Sequence, residues 1–216
     1  MSTLSEALRY MQAGESEEMR KKAERALELL RGVSAPRFIY RHFPIEKNTR
    51  GIALVGADIT LSGKSAETML SDCQSALLMI CTLGFGFENE LRKRQAVNMA
   101  EAVILDACGS ALVEEGCDDA EKEIQDALPG KFLTDRFSPG YGDLPLDLQQ
   151  DISRVLSAEK LLGVHLNESM LFYPSKTVSA IIGVSNEVQA ARIRGCDYCS
   201  MRESCALRKR GGSCGK

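Results

Sequence analysis

The sequence predicts a mixed α+β domain, with helices flanking an antiparallel or mixed sheet, followed by a cysteine-rich C-terminal tail. Three observations carry this prediction. Short alternating or apolar segments gather at both ends of the chain, around residues 37–61 and 164–184. The middle, from Glu88 to about Leu128, has no proline. Four of the eight cysteines, Cys196, Cys199, Cys205 and Cys214, fall within the last 21 residues.

Residues 16–31 place Met19, Ala23, Ala26, Leu27 and Leu30 at helical spacing, with Ser16 as N-cap and Gly32 just past the end. Arg37 to Phe43 alternates enough for a strand that stops before Pro44. Residues 52–55 and 59–61 read as two extended segments, followed by Gly63-Lys64-Ser65. That triplet is not a phosphate loop, because Asp58 stands where the motif needs its first glycine. Ser65 is expected instead to cap a helix. A buried run from Ser75 to Thr82 ends at Leu83-Gly84-Phe85-Gly86-Phe87, where the glycines permit a redirection before one long helical stretch from Glu88. Within it, Ala96, Ala100, Ala107, Gly109 and Ala111 would let another element approach closely. Asp106, Ser110 and Glu114 lie four apart on one helical face, either a solvated stripe or a polar line facing a site. Lys131 to Thr134 is briefly extended, Asp147 to Ser157 is helical with Leu148, Ile152, Val155 and Leu156 inward, and three short strands close the domain.

Composition narrows the class. The 216 residues, 44% hydrophobic, are enough for one sizeable core, and the longest unbroken apolar run, Ala76–Cys81, is far too short to span a bilayer. A cytoplasmic protein with reduced thiols is expected, and Cys73, Cys81, Cys108 and Cys117 read as small buried hydrophobes. His42 reads as structural, since no second histidine lies nearby. Residues 192–216 hold seven Lys/Arg against Asp197 and Glu203, a net +5 that leaves −8 on the remainder of a chain whose total is −3. That asymmetry favours an anionic partner surface. Nucleic acid is not expected as a partner, because only Tyr198 offers a stacking face in the tail.

The stretch from Thr134 to Pro145, with Arg136-Phe137-Ser138-Pro139-Gly140-Tyr141-Gly142 at its centre, packs a fixed cation, two glycines, two prolines and an aromatic into twelve residues. It reads either as a Pro-Gly turn or as a ligand loop whose glycine N–H groups face outward, with Arg136 suited to a carboxylate. Taken with Leu105–Glu114, with Leu162-Gly163-Val164-His165-Leu166-Asn167-Glu168-Ser169, and with Tyr173-Pro174 and Val178-Ser179, it resembles the activation domain of cobalamin-dependent methionine synthase. The resemblance spans roughly residues 50–183 and rests on three segments in the same order. It implies S-adenosylmethionine binding and reductive methylation of cob(II)alamin, with Arg136 at the ligand carboxylate, Ser138, Gly140 and Tyr141 along the loop, and Glu114 reaching the ligand from its helix. It implies an accessory role beside a separate corrinoid-carrying methyltransferase, first of all methionine synthase, since neither His42 nor His165 sits in an Asp-x-His-x-x-Gly context. The other reading of the resemblance is a non-catalytic S-adenosylmethionine-sensing adaptor that docks on a corrinoid protein. Residues 184–195 contain no tyrosine, where the family carries a ligand-touching one, and the family's N-terminal aspartate contact has no assigned counterpart.

The expected organisation is an activation-type domain over residues 1–190, with a helical extension over 1–50, and a basic cysteine-rich tail over 191–216. Cys196, Cys199, Cys205 and Cys214 could ligate an iron–sulfur cluster or zinc, or remain free thiols. A cluster would suit a low-potential electron taken from a flavodoxin- or ferredoxin-type donor.

Overall fold

The structure is a computed structural model and describes residues 2–12, 16–189 and 203–209. The chain begins with helices α1 (Thr3–Tyr10) and α2 (Glu17–Val33), then strands β1 (Arg37–Asn48), β2 (Gly51–Leu54) and β3 (Ile59–Leu61). Helix α3 (Lys64–Met69), strand β4 (Ser75–Thr82) and helices α4 (Gly84–Val97) and α5 (Met99–Ala127) follow. The remainder is β5 (Phe132–Leu133), α6 (Leu148–Leu156), α7 (Ala158–Leu162), β6 (His165–Leu166), β7 (Phe172–Tyr173), β8 (Thr177–Ser185) and α8 (Ala206–Lys209). This is the predicted α+β class.

Two compact units divide the chain, one formed by Met1–Ile39, Ile80–Ile124 and Ser157–Val178, the other by Tyr40–Met79, Gln125–Leu156 and Ser179–Lys216. The first is mainly helical. Ser16 caps α2 as expected, accepting from the Met19 N–H, and Ala23, Leu27 and Leu30 are buried. Gly32 is inside the helix, whose cap is Ser34. The long helical stretch is two helices, α4 and α5, because the Asn98 side chain accepts from the Ala100 and Glu101 N–H groups at 3.1 and 3.3 Å and so starts a new helix without any proline. Of the small residues expected to permit close approach, Ala107, Gly109 and Ala111 are buried, while Ala96 and Ala100 are exposed; a Cβ on Gly109 would stand 2.3 Å from the Phe87 ring, and one on Gly116, not anticipated, 2.4 Å from Pro36. Cys81, Cys108 and Cys117 are buried and form no disulfide, with burial pushing the Cys108 thiol up to about 12.

The second unit holds the sheet, whose strand order is β3-β2-β1-β4-β8-β5. The pairs β1–β2, β2–β3 and β5–β8 are antiparallel, with Ile45 opposite Leu54, Ile52 opposite Leu61 and Phe132 opposite Ser185. Strand β1 does not stop at Pro44. Proline removes only the N–H; the Pro44 carbonyl still accepts from the Val55 N–H at 2.9 Å, and pairing resumes at Ile45. His42 donates to or accepts from Ser75 Oγ at 2.6 Å, a structural contact. Helix α6 turns Leu148, Ile152 and Leu156 inward as its spacing predicts, with Val155 half-buried.

Candidate functional site

The loop from Thr134 to Leu144 is held by the sheet at one end and by α3 at the other. Thr134 anchors the first end: its N–H donates to the Gly183 carbonyl at 2.9 Å, and its hydroxyl accepts from the Gly183 N–H at 2.8 Å. Phe137 then exchanges both backbone hydrogen bonds with Ile181, at 3.0 and 2.9 Å, and buries its ring. This bridge sets Arg136 and Ser138, both half-buried, on either side of the buried Phe137.

Beyond Pro139 the chain turns through Gly140 and Gly142, whose φ angles of +89° and +58° favour glycine. Tyr141 stands between them at the tip, 68% exposed. One expectation changes here. The Gly140 N–H does not face outward; it donates to the Leu144 carbonyl at 2.9 Å, and the Tyr141 N–H turns back to the Ser138 carbonyl at 3.3 Å. The loop therefore offers a ligand its side chains, while these two N–H groups close the turn. Among the described residues the Gly142 N–H has no protein partner.

Asp143 clamps the second end, a residue that the sequence reading passed over. Its carboxylate accepts from the Lys64 and Ser65 N–H groups at 2.6 and 3.0 Å, and so caps α3. Ser65 is not the N-cap; that position is Gly63, at φ +99°, where a Cβ would meet the Asp143 carboxylate at 2.8 Å. Hydrogen bonds from Ser65, with that from Lys64, hold the Asp143 carboxyl below its ordinary value. A carboxylate on the α3 N-terminus also agrees with rejecting a phosphate loop at Gly63-Lys64-Ser65. No local signal could have revealed a pair 78 residues apart.

The polar line on α5 belongs to the first unit. Lys176 lies along it, with its ammonium 2.9 Å from the Asp106 carboxylate and 2.9 Å from Ser110 Oγ, over the Phe87 ring at 5.7 Å. Only 14% of its side chain is exposed, so the Asp106–Ser110 part of the stripe is neutralised from within the fold and is not a bare solvated face. Glu114, one turn on, is half-buried and close enough to Tyr10 to help raise its hydroxyl. Burial is the larger cause there, Glu114 and Glu6 follow, and together they push Tyr10 up to about 12. Glu114 thus falls in the first unit, and Arg136, Ser138, Gly140 and Tyr141 in the second.

Of the tail thiols, Cys205 is half-buried and free, while Cys196, Cys199 and Cys214 lie outside the described residues. Among the described residues no group of three or more His, Cys, Asp or Glu could hold a metal ion, and no helix is long and apolar enough to cross a membrane.

No protein-family model matches the sequence, and no curated protein does. The fold does have solved counterparts. A crystal structure of the MetH reactivation domain bound to AdoHcy superposes with a TM-score of 0.61, covering 91% of this chain and 73% of that one at 16% identity. The chain has the reactivation-domain fold. At that identity the likeness fixes the architecture, and the reactivation-domain fold is the frame within which the Thr134–Leu144 loop and the α5 stripe have to be given roles.

Proposed function

We propose that this protein binds S-adenosylmethionine and supports reductive methylation of cob(II)alamin carried by a separate corrinoid-dependent methyltransferase, with methionine synthase the first candidate partner. The observation that carries the reading is the shared fold with a domain whose crystal structure contains AdoHcy, the demethylated product of such a transfer. The loop supports it. Arg136 is a permanent cation with a forked donor set suited to the ligand carboxylate, Ser138 adds a hydroxyl, and Gly140 leaves the turn free of side-chain bulk. Tyr141 presents an exposed ring. The resemblance has Glu114 reach the ligand, and a carboxylate suits its positive sulfonium end.

In this reaction one electron reduces cob(II)alamin to its cob(I) form, and the reduced cobalt attacks the sulfonium methyl, breaking the S–CH3 bond and releasing AdoHcy. No proton moves, so the protein needs no acid or base. Its residues bind, orient and exclude water. The electron would come from a flavodoxin- or ferredoxin-type donor. The tail thiols Cys196, Cys199, Cys205 and Cys214 are the candidate set for an iron–sulfur cluster or zinc, and metal analysis of anaerobically purified protein discriminates the two.

Calorimetry with S-adenosylmethionine tests the loop. Losing a charge-assisted hydrogen bond of about 1.5–3 kcal/mol, Arg136→Ala should weaken binding roughly ten- to hundredfold, while Arg154→Ala leaves it unchanged. Equal behaviour of the two variants would remove the loop assignment. Methylcobalamin formation on a cob(II)alamin-loaded partner, dependent on this protein and a strong reductant, tests reactivation itself. Binding without methylation would leave the adaptor reading in place.

A further inference from the structure

Helices α2, α4 and α5 line a half-open cleft of about 360 Å³ in the first unit, at positions to which the function above gives no role. Its floor is apolar, lined by Ala26 and Leu29 from α2 with Ile104 and Leu105 from α5. Its rim is charged, with Lys22 and Arg25 one turn apart on α2, Arg94 on α4 and Glu101 on α5.

The three cations are not equivalent. Lys22 is paired with Glu18 at 2.6 Å, and Arg94 is held between Glu90 and Glu101 at 3.0 Å each. Arg25 makes no ion pair and no side-chain hydrogen bond among the described residues. The cleft therefore joins an apolar floor to one uncommitted guanidinium.

We infer that this cleft is a binding site for a small amphipathic carboxylate, its apolar body on Leu29, Ile104 and Leu105 and its carboxylate on Arg25. One planar fork matches one carboxylate, whereas a dianion would have to break the Lys22 or Arg94 pairs to be neutralised. The volume lies at the small end of the roughly 300–1,000 Å³ typical of ligand pockets, which selects a short chain over a long lipid. The site is independent of the S-adenosylmethionine reading.

The test is titration of the full chain with octanoate, followed by amide NMR and calorimetry, with octylammonium as the control of opposite charge. Saturable one-to-one binding of octanoate is expected, with shifts confined to α2, the end of α4 and the start of α5, and octylammonium should not compete. Arg25→Glu, at an exposed position, should keep the wild-type melting curve and weaken octanoate by about tenfold or more. Leu29→Trp, which fills the floor, should block binding while circular dichroism confirms the fold. Unsaturable octanoate, equal binding of octylammonium, or unchanged affinity in Arg25→Glu overturns the proposal; if Leu29→Trp unfolds, Arg25→Glu alone decides it.

Discussion

Replacing Asp143 by asparagine separates the charge of the loop clamp from its shape. The wild-type carboxylate accepts from two α3 N–H groups, at 2.6 and 3.0 Å, on a site that is largely solvent-exposed. Capping interactions of this kind contribute about 1 kcal/mol, within a range of roughly 0.5–2. Asparagine keeps one acceptor oxygen and loses the second acceptor and the charge, so a loss of about 0.5–1 kcal/mol at neutral pH is expected. Because the folded carboxyl is held below the ordinary aspartate value of 3.8, its contribution is fully present above that value and is lost as pH falls through the lower folded one. Urea midpoints for wild type and Asp143→Asn should thus differ at pH 7 and converge only as pH falls below 3.8 and through the lower folded value. A difference that persists unchanged into that acid range, or no difference at pH 7, would refute the clamp. The same variant should also weaken S-adenosylmethionine, since the loop then has to be ordered on binding.

Two further substitutions test how the scaffold holds its elements. Thr134→Val leaves the buried Gly183 N–H without its hydroxyl acceptor and should cost about 1–3 kcal/mol by urea denaturation; a neutral result would mean that the loop is not fastened there. Gly109→Ala places a Cβ 2.3 Å from the Phe87 ring, and the overpacking should cost about 1–3 kcal/mol, whereas Gly32→Ala, inside α2 with open space around its Cβ and an ordinary φ, should be neutral or stabilising.

Elements that announce themselves locally were legible in the sequence. Helix α2 has a Ser16 cap and a regular apolar face, and β4 is a continuous apolar run with all but Ser75 buried, so both appear where residue spacing places them. The loop too was legible as a loop, from Pro139 and two glycines that do take left-handed backbone. Failures came where a tertiary partner decides the outcome. Absence of proline predicted one helix, but Asn98 ends α4 and caps α5 through its own side chain. Pro44 predicted a strand end, but neighbouring strands on both sides keep β1 extended. The α3 cap and the neutralisation of Asp106 depend on Asp143 and Lys176, 78 and 70 residues away, and neither carried a motif. Sequence marked Pro139, Gly140 and Gly142 as a turn; it could not show that Gly140 gives its N–H to the Leu144 carbonyl.

Glu114 is the assignment most in need of a direct test, and Tyr10 supplies the reporter. The carboxylate of Glu114 helps hold the Tyr10 hydroxyl at about 12, second only to burial. Glu114→Gln removes that repulsion, so the Tyr10 pKa should fall while staying above 10, because burial and Glu6 still favour the neutral phenol. Isotope-labelled tyrosine NMR, assigned by Tyr10→Phe, follows the titration. A sulfonium held at Glu114 would screen the same charge, and S-adenosylmethionine should then lower the Tyr10 pKa in wild type whereas AdoHcy, with a neutral sulfur, should not. If Glu114→Gln shifts Tyr10 but leaves S-adenosylmethionine affinity intact, Glu114 acts on helix α1 alone and leaves the ligand site to the Arg136–Tyr141 loop.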